Sequence, residues 1–306
     1  MFITITGKMG SGKSTICELL HAQHGFEIYS TGKIHRDVAK EMGVDTLELN
    51  KLLRSDHKLD KVIDDQVVKI SQERNGDDII FDSRLAWHFV PNSFKIYTIV
   101  DPLIAAQRVF AQPRDTENPY TDVNDARDKL LERAKIENIR FKEIYNIDNF
   151  DYRNYNLILD TTILSPQQLT DIVVKQTTSD HTRQLSPTML ISPKSLYPTQ
   201  SIRNVSNDIL SDQDLIAQSV NGFCDTPILI FYHDNYHYII DGHHKWLISL
   251  IHNSPFVNCI LVEIAEHPEL GDQQDFLSGL RLIGKKTLYD YEDAGGFRYL
   301  SYPDYY

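Results

Sequence analysis

The sequence predicts an α/β chain in two parts: a three-layer fold with a parallel sheet between helices, followed by a smaller α+β domain. Three observations carry that expectation. Short apolar runs alternate with helical spacings through the first half, the pattern of a parallel sheet covered on both faces. A glycine-rich stretch, "GKMGSGKS", lies between the first strand and the first helix. The pattern then changes after a polar stretch, 177–187, which reads as a linker. The expected parts are therefore 1–176, a linker at 177–187, and 188–306.

"FITIT" (2–6) reads as a buried strand and "STICELLHAQH" (14–24) as a helix. "FEIYS" (26–30) is the next strand, and helical spacing runs from "IHRDVAKEMG" through "LDKVIDDQVVKISQER". "DIIFD" (78–82), "FKIYTIV" (94–100) and "YNLILDTT" (155–162) are further strands, with a charged helix over 122–146. Ser165 caps a last helix that has Pro166 at its first position. In the second part "TMLISP", "TPILIFYH", "YHYIID" and "FVNCILVEI" are strands, and a helix starts near His244. The closing stretch, "YDYEDAGGFRYLSYPDYY", holds seven aromatics in eighteen residues. It reads as a tail packed over a sheet edge or groove, with a stacking platform for a base as the alternative.

With 31 Lys plus Arg against 43 Asp plus Glu, the net charge is −12. That surface repels polyphosphate backbones and argues against a broad nucleic-acid footprint, but it permits a small anion in a local cationic pocket. No run is long and apolar enough to span a bilayer and no signal peptide is evident, so the expected location is cytoplasmic. Cys17, Cys224 and Cys259 lack metal-site spacing and read as reduced, packed thiols.

Gly7 to Ser14 fits G-x-x-x-x-G-K-[ST] between a strand and a helix, the Walker A arrangement. Glycines let the backbone curl so that its N–H groups converge on phosphate, and the helix start adds a positive dipole end. The ATP-binding run is then Gly7, Gly10, Ser11, Gly12, Lys13, Ser14 and Thr15. In it Lys13 reaches the β- and γ-phosphates and the Ser14 hydroxyl ligates Mg²⁺. Phosphoryl transfer needs cations converging on the migrating group. Arg36 opens a helix after the second strand, and Asp82 and Arg84 stand at the carboxyl end of another, where open α/β sheets bind ligands. Asp82 either caps the turn that follows or contacts Mg²⁺ through water. Arg108 and Arg114 add further charge, and Arg133 and Arg140, seven apart, share a helix face.

The stretches "ITGKMGSGKST", "YSTGKIHRDVAKEMGVDTLELNKLL", "LDKVIDDQ", "DSRLAW", "RFKEIYNID" and "YNLILDTTILSPQQL" make residues 1–176 resemble the archaeal-type cytidylate kinases of the nucleoside monophosphate kinase group. The resemblance implies an ATP-Mg²⁺ site at the glycine-rich loop. It also implies an acceptor pocket around Ser30, Thr31, Gly32, Arg36 and Arg84, and lid arginines at Arg133 and Arg140. The chain departs from that family at Ala134, where a Glu is usual, and in its lid segment "AQPRDTENPY". The expected activity is ATP-dependent transfer to a pyrimidine monophosphate such as CMP or dCMP, with Lys13, Arg84, Arg133 and Arg140 as the catalytic cations.

The second part holds "HYIIDGHHKWLI", another strand–turn–helix junction. Gly242 permits a tight turn, the helix start attracts an anion, and His243, His244 and Lys245 can add charge-assisted bonds. A second reading has Asp241 capping the helix and the histidines at the surface. Adjacent helical side chains splay about 100° apart, which argues against one shared metal. Trp246 reads as core. With "LISPKSLYPTQ" before and "NCILVEI" after, this part resembles the ParB/sulfiredoxin-like domain. The resemblance implies a second nucleotide, CTP or ADP/ATP, with phosphates at Asp241, Gly242, His243, His244 and Lys245. Thr199-Gln200 stands where that group's free-serine kinases usually carry a glutamate base. Two alternatives stay open: a kinase for another small acceptor that uses the second domain, and a nucleotide-gated regulator without phosphotransfer.

Overall fold

Phe2–Gly7 forms a first strand, β1, that is buried along its whole length, because "FITIT" has neighbours on both edges and helices on both faces. The computed structural model describes residues 1–44, 48–49, 52, 58–112, 120–178, 187–201, 213–220, 227–264, 267 and 270–306. It divides into two compact units, Met1–Pro187 and Thr188–Tyr306. The two-part α/β architecture expected from the sequence is the one found.

In the first unit the further strands are β2 (Glu27–Ser30), β3 (Ile79–Asp82), β4 (Ser93–Ile99) and β5 (Leu157–Asp160). They run parallel in the order β2-β3-β1-β4-β5. The helices described over their whole length are α1 (Lys13–His24), α2 (Thr31–Met42), α3 (Lys58–Glu73), α4 (Ala86–Phe89), α5 (Pro102–Ala111), α6 (Val123–Tyr145) and α7 (Pro166–Thr178). Phe2, Val67, Ile79, Phe81, Ala86 and Val90 pack one side of the core. Register brings Ser30 opposite Asp82, and Asp82 opposite Ile5, so the carboxyl ends of β2, β3 and β1 open onto one rim. Asp122 caps α6 by accepting from the Asn124 and Asp125 amides, and Asn146 ends it in the left-handed conformation at φ 55. The linker expected at 177–187 falls mostly on 179–186, outside the described residues; α7 runs to Thr178.

In the second unit β6 (Thr188–Ile191), β7 (Leu196–Tyr197), β8 (Ile228–His233), β9 (Tyr236–Asp241) and β10 (Val257–Leu261) form a mixed sheet in the order β6-β10-β8-β9-β7. β8 and β9 are an antiparallel hairpin turned by Asp234 and Asn235, both at positive φ. The described helices are α8 (Gln213–Val220), α9 (His243–Ile251), α10 (Gln273–Ile283) and α11 (Lys285–Gly295). Trp246 is wholly buried and donates its indole N–H to the Pro193 carbonyl at 2.7 Å, so it is core. The aromatic tail after α11 folds back along β7. The Tyr299 ring stacks on Tyr197 at 4.6 Å and its hydroxyl donates to the Leu196 carbonyl, while Tyr197 donates to the Ser301 carbonyl. Cys17 and Cys259 are buried free thiols, and Cys224 lies outside the described residues.

Candidate active site

The glycine-rich loop leaves β1 at Gly7, whose φ of 134 is closed to other residues and whose missing Cβ would collide with the Thr98 carbonyl. Thr98 on β4 then pins the loop: its carbonyl accepts from the Lys8 amide at 2.9 Å, and its hydroxyl meets Ser11 Oγ at 2.7 Å. Gly10, at φ 75, lies so close to α5 that a Cβ would come within 2.7 Å of the Ala105 carbonyl. Arg108 braces the loop from behind, donating to the carbonyls of Gly10 (3.3 Å), Thr161 (2.8 Å) and Thr162 (3.3 Å). Gly12 caps α1 in the left-handed region with no side chain bonded to the first amides, so the positive end of the helix faces the cleft. Lys13 curls over its own loop, its ammonium donating to the Gly7 (3.1 Å) and Lys8 (2.9 Å) carbonyls.

Of these residues Gly10, Ser11, Gly12, Lys13 and Arg108 line a cleft of about 510 Å³ together with Ser14, Thr15, Thr31, Gly32, Arg36, Asp82, Arg84 and Arg140. Ser30 and Arg133 join it indirectly. Ser30 caps α2 by accepting from the Lys33 amide and donates its own proton to Asp82 at 3.1 Å. Asp82 is thereby held at the strand end, on the lining of the cleft. Gly32 leaves room for Arg36, whose Nη1 would lie 3.4 Å from a Cβ there.

Arg84 donates one Nη1 proton to the Gly7 carbonyl and pairs through Nε with Glu137 at 3.0 Å. Arg133 meets the same carboxylate from the next turn of α6, Nε to Oε1 at 3.1 Å. Burial would raise the Glu137 pKa, but Arg84, Arg133 and Arg140 overcome it and hold the group at about 2. Arg140 shares α6 with Arg133, as the seven-residue spacing implied, yet it is 2% exposed rather than reaching out as an arm. His35 is pushed down to about 4, first by burial and then by Arg140. Asp64 lines the cleft and accepts from the Tyr145 hydroxyl at 2.5 Å. Sequence reasoning missed Glu137, His35 and Asp64. The i, i+4 spacing of Arg133 and Glu137 was the one available signal. The expected lid segment falls largely on 113–119, outside the described residues, and Arg114 with it.

In the second unit, Gly242 caps α9 at φ 96, again with no side chain on the first amides. His243 turns inward: it is 3% exposed, its Nε2 accepts from the Thr199 amide at 3.0 Å, and burial lowers its pKa to about 4. His244 Nε2 is enclosed without a hydrogen-bond partner, Lys245 is half-buried, and Asp241 is exposed.

A sequence profile for the AAA domain matches residues 3–131. A cytidylate kinase of Natronomonas pharaonis is 37% identical over 175 residues, 56% of this chain and 87% of that one. A cytidylate kinase of Methanocaldococcus jannaschii is 34% identical over 53% of this chain and 89% of its own. A solved shikimate kinase from Bacteroides thetaiotaomicron aligns at a TM-score of 0.40 and 10% identity, over 58% of this chain and 99% of that one, too weakly to bear on function. The first unit is thus a phosphotransferase of the P-loop nucleoside monophosphate kinase superfamily. Within that class, the chain belongs to the cytidylate kinase family. None of these relatives supports a ParB/sulfiredoxin kinship for the second unit.

Proposed function

We propose that the first unit transfers the γ-phosphoryl group of ATP to a pyrimidine nucleoside monophosphate, CMP or dCMP. The observation that carries this reading is a cleft lined by the Walker loop together with Arg36 and Arg84, in a first unit 37% identical over 175 residues to a cytidylate kinase. Loop amides from Gly10 to Thr15 hold the β-phosphate, and Lys13 exchanges its loop carbonyls for β- and γ-phosphate oxygens. Arg36 and Arg84 clamp the acceptor phosphate so that one of its oxygens lies in line with the γ-phosphorus. Arg133 and Arg140 add positive potential where charge spreads in the transition state. The Ser14 hydroxyl and the Asp82 carboxylate are hard oxygen donors on the same cleft, a set that suits Mg²⁺. Bound there, Mg²⁺ would neutralise charge on the β- and γ-phosphates.

The test is ATP-dependent product formation across CMP, dCMP, UMP, AMP and serine. Rapid turnover of CMP or dCMP is expected. Turnover of serine alone, or of none, would sink the reading.

For the second unit the proposal is a phosphate or nucleotide held at the start of α9 by Gly242, His244 and Lys245, beside Asp241. It is supported by uncapped amides and the enclosed, unpartnered His244 Nε2. His243, already bonded to Thr199, would shape that turn from beneath rather than touch the anion. Titrating the full chain with CTP in the presence of saturating ATP should reveal a second binding event that Gly242→Val removes.

A further inference from the structure

Glu137 has no counterpart among the groups that phosphoryl transfer requires, yet it stands at the centre of the cationic wall. Its side chain is 9% exposed, beside Arg84 at 25% and Arg133 at 17%. A carboxylate that deep is unfavourable unless paired, and here each oxygen serves a different arginine: Oε2 takes Arg84 Nε at 3.0 Å, Oε1 takes Arg133 Nε at 3.1 Å. The two partners come from different elements, the end of β3 and the middle of α6. Arg84 is also bonded to the Gly7 carbonyl, so one chain of contacts runs from α6 through Glu137 and Arg84 to the glycine-rich loop. Arg140, one turn further along α6, adds to the same field.

From this we infer that Glu137 is a positioning residue for phosphoryl transfer: its carboxylate fixes the guanidinium planes of Arg84 and Arg133 in register with the loop. This rests on the phosphotransfer reading above. Guanidinium groups packed this closely repel one another, and without a shared anion they splay or swing onto the nearest phosphate. Catalysis needs donors already aimed where charge will develop, whereas ground-state binding needs only that they be positive. Removing the negative charge therefore leaves phosphate binding intact or tighter while the chemical step slows. A merely structural role would lower stability and weaken both together.

The experiment compares wild type, Glu137→Gln and Glu137→Asp in full-length protein. Two measurements are made: steady-state transfer to CMP, and the solvent exchange of the Arg84 and Arg133 Nε–H protons by nitrogen-15 NMR. Glu137→Gln should lose roughly 10- to 100-fold in kcat, as for a misplacement of about 1 Å, with KM for both substrates unchanged or lower. Glu137→Asp should recover part of that loss. A kcat within twofold of wild type overturns the inference, as does a loss confined to KM. Should Glu137→Gln not fold, Glu137→Asp carries the same criteria, since its shorter arm cannot meet both Nε groups. If wild type phosphorylates no nucleoside monophosphate, the function proposed above fails. The exchange data still decide the positioning: faster exchange in the variants supports it, and unchanged protection overturns it.

Discussion

The two helix starts at Gly12 and Gly242 share one local geometry and differ in everything around it. Each glycine is left-handed, at φ 78 and φ 96, and each leaves the first amides of its helix without a side-chain cap. At α1 the glycine looks into open space, and the cleft it lines also carries Arg36, Arg84 and Arg140. At α9 the glycine lies against β8, where a Cβ would come within 3.2 Å of Ile228, and the first helical residue is a histidine turned inward. The turn leaves helix amides open at both places; phosphoryl transfer also needs converging cations, which only the cleft at α1 lines up beside them. A strand–glycine–helix junction is therefore a local geometry, and only its surroundings decide what chemistry it can serve.

The comparison can be broken at four points. Lys13→Ala removes the cation of the catalytic start and should cost about 100- to 1,000-fold in transfer rate; near-normal turnover would break the assignment. Gly10→Ala forces a Cβ to 2.7 Å from the Ala105 carbonyl at a φ of 75. At roughly 1–3 kcal/mol of strain, ATP affinity should fall about 10-fold or more by calorimetry, and an unchanged Kd would count against the cradle.

The third point is pH. His243 has a folded pKa of about 4 against 6.5 for the free group. Between those values the unfolded chain binds more protons, so the stabilisation is full above pH 6.5 and falls toward pH 4, by up to about 1.4 kcal/mol per pH unit. His35 gives the first unit a slope of the same sign. Acid unfolding followed by Trp246 fluorescence in a Trp87→Phe background isolates the second unit, and His243→Gln should flatten its profile over that window; an unaltered slope would show that burial is not the cause. The smallest effect is Gly12→Ala, which meets no atom and should cost about 1–2 kcal/mol for its left-handed backbone, read as a modest drop in Tm.

What could be read beforehand follows from locality. The glycine-rich loop was legible because its parts are adjacent in sequence, and so were the strands, whose apolar runs define them. The hairpin turn at Asp234-Asn235 and the capping of α9 by Gly242 were within reach for the same reason. Glu137 was not. In "RAKIENIRFK" it is one charge among several, and nothing local distinguishes a solvated acid from one clamped by an arginine lying 53 positions away. The inward turn of His243 depended equally on a distant amide, that of Thr199. The burial of Arg140 could not be read from spacing either.

The aromatic tail has a consequence for solubility. β7 is a two-residue strand that pairs with β9 alone among the described strands, and Tyr299, Ser301 and Tyr306 satisfy its flanking carbonyls and the Tyr197 hydroxyl. A chain stopped after residue 295 would bare that margin together with the tyrosine rings beneath it, a template on which further copies can add strand by strand. Such a truncated protein should scatter light and bind thioflavin more than the full-length chain at the same concentration, the result expected if the last few tyrosines guard against self-assembly.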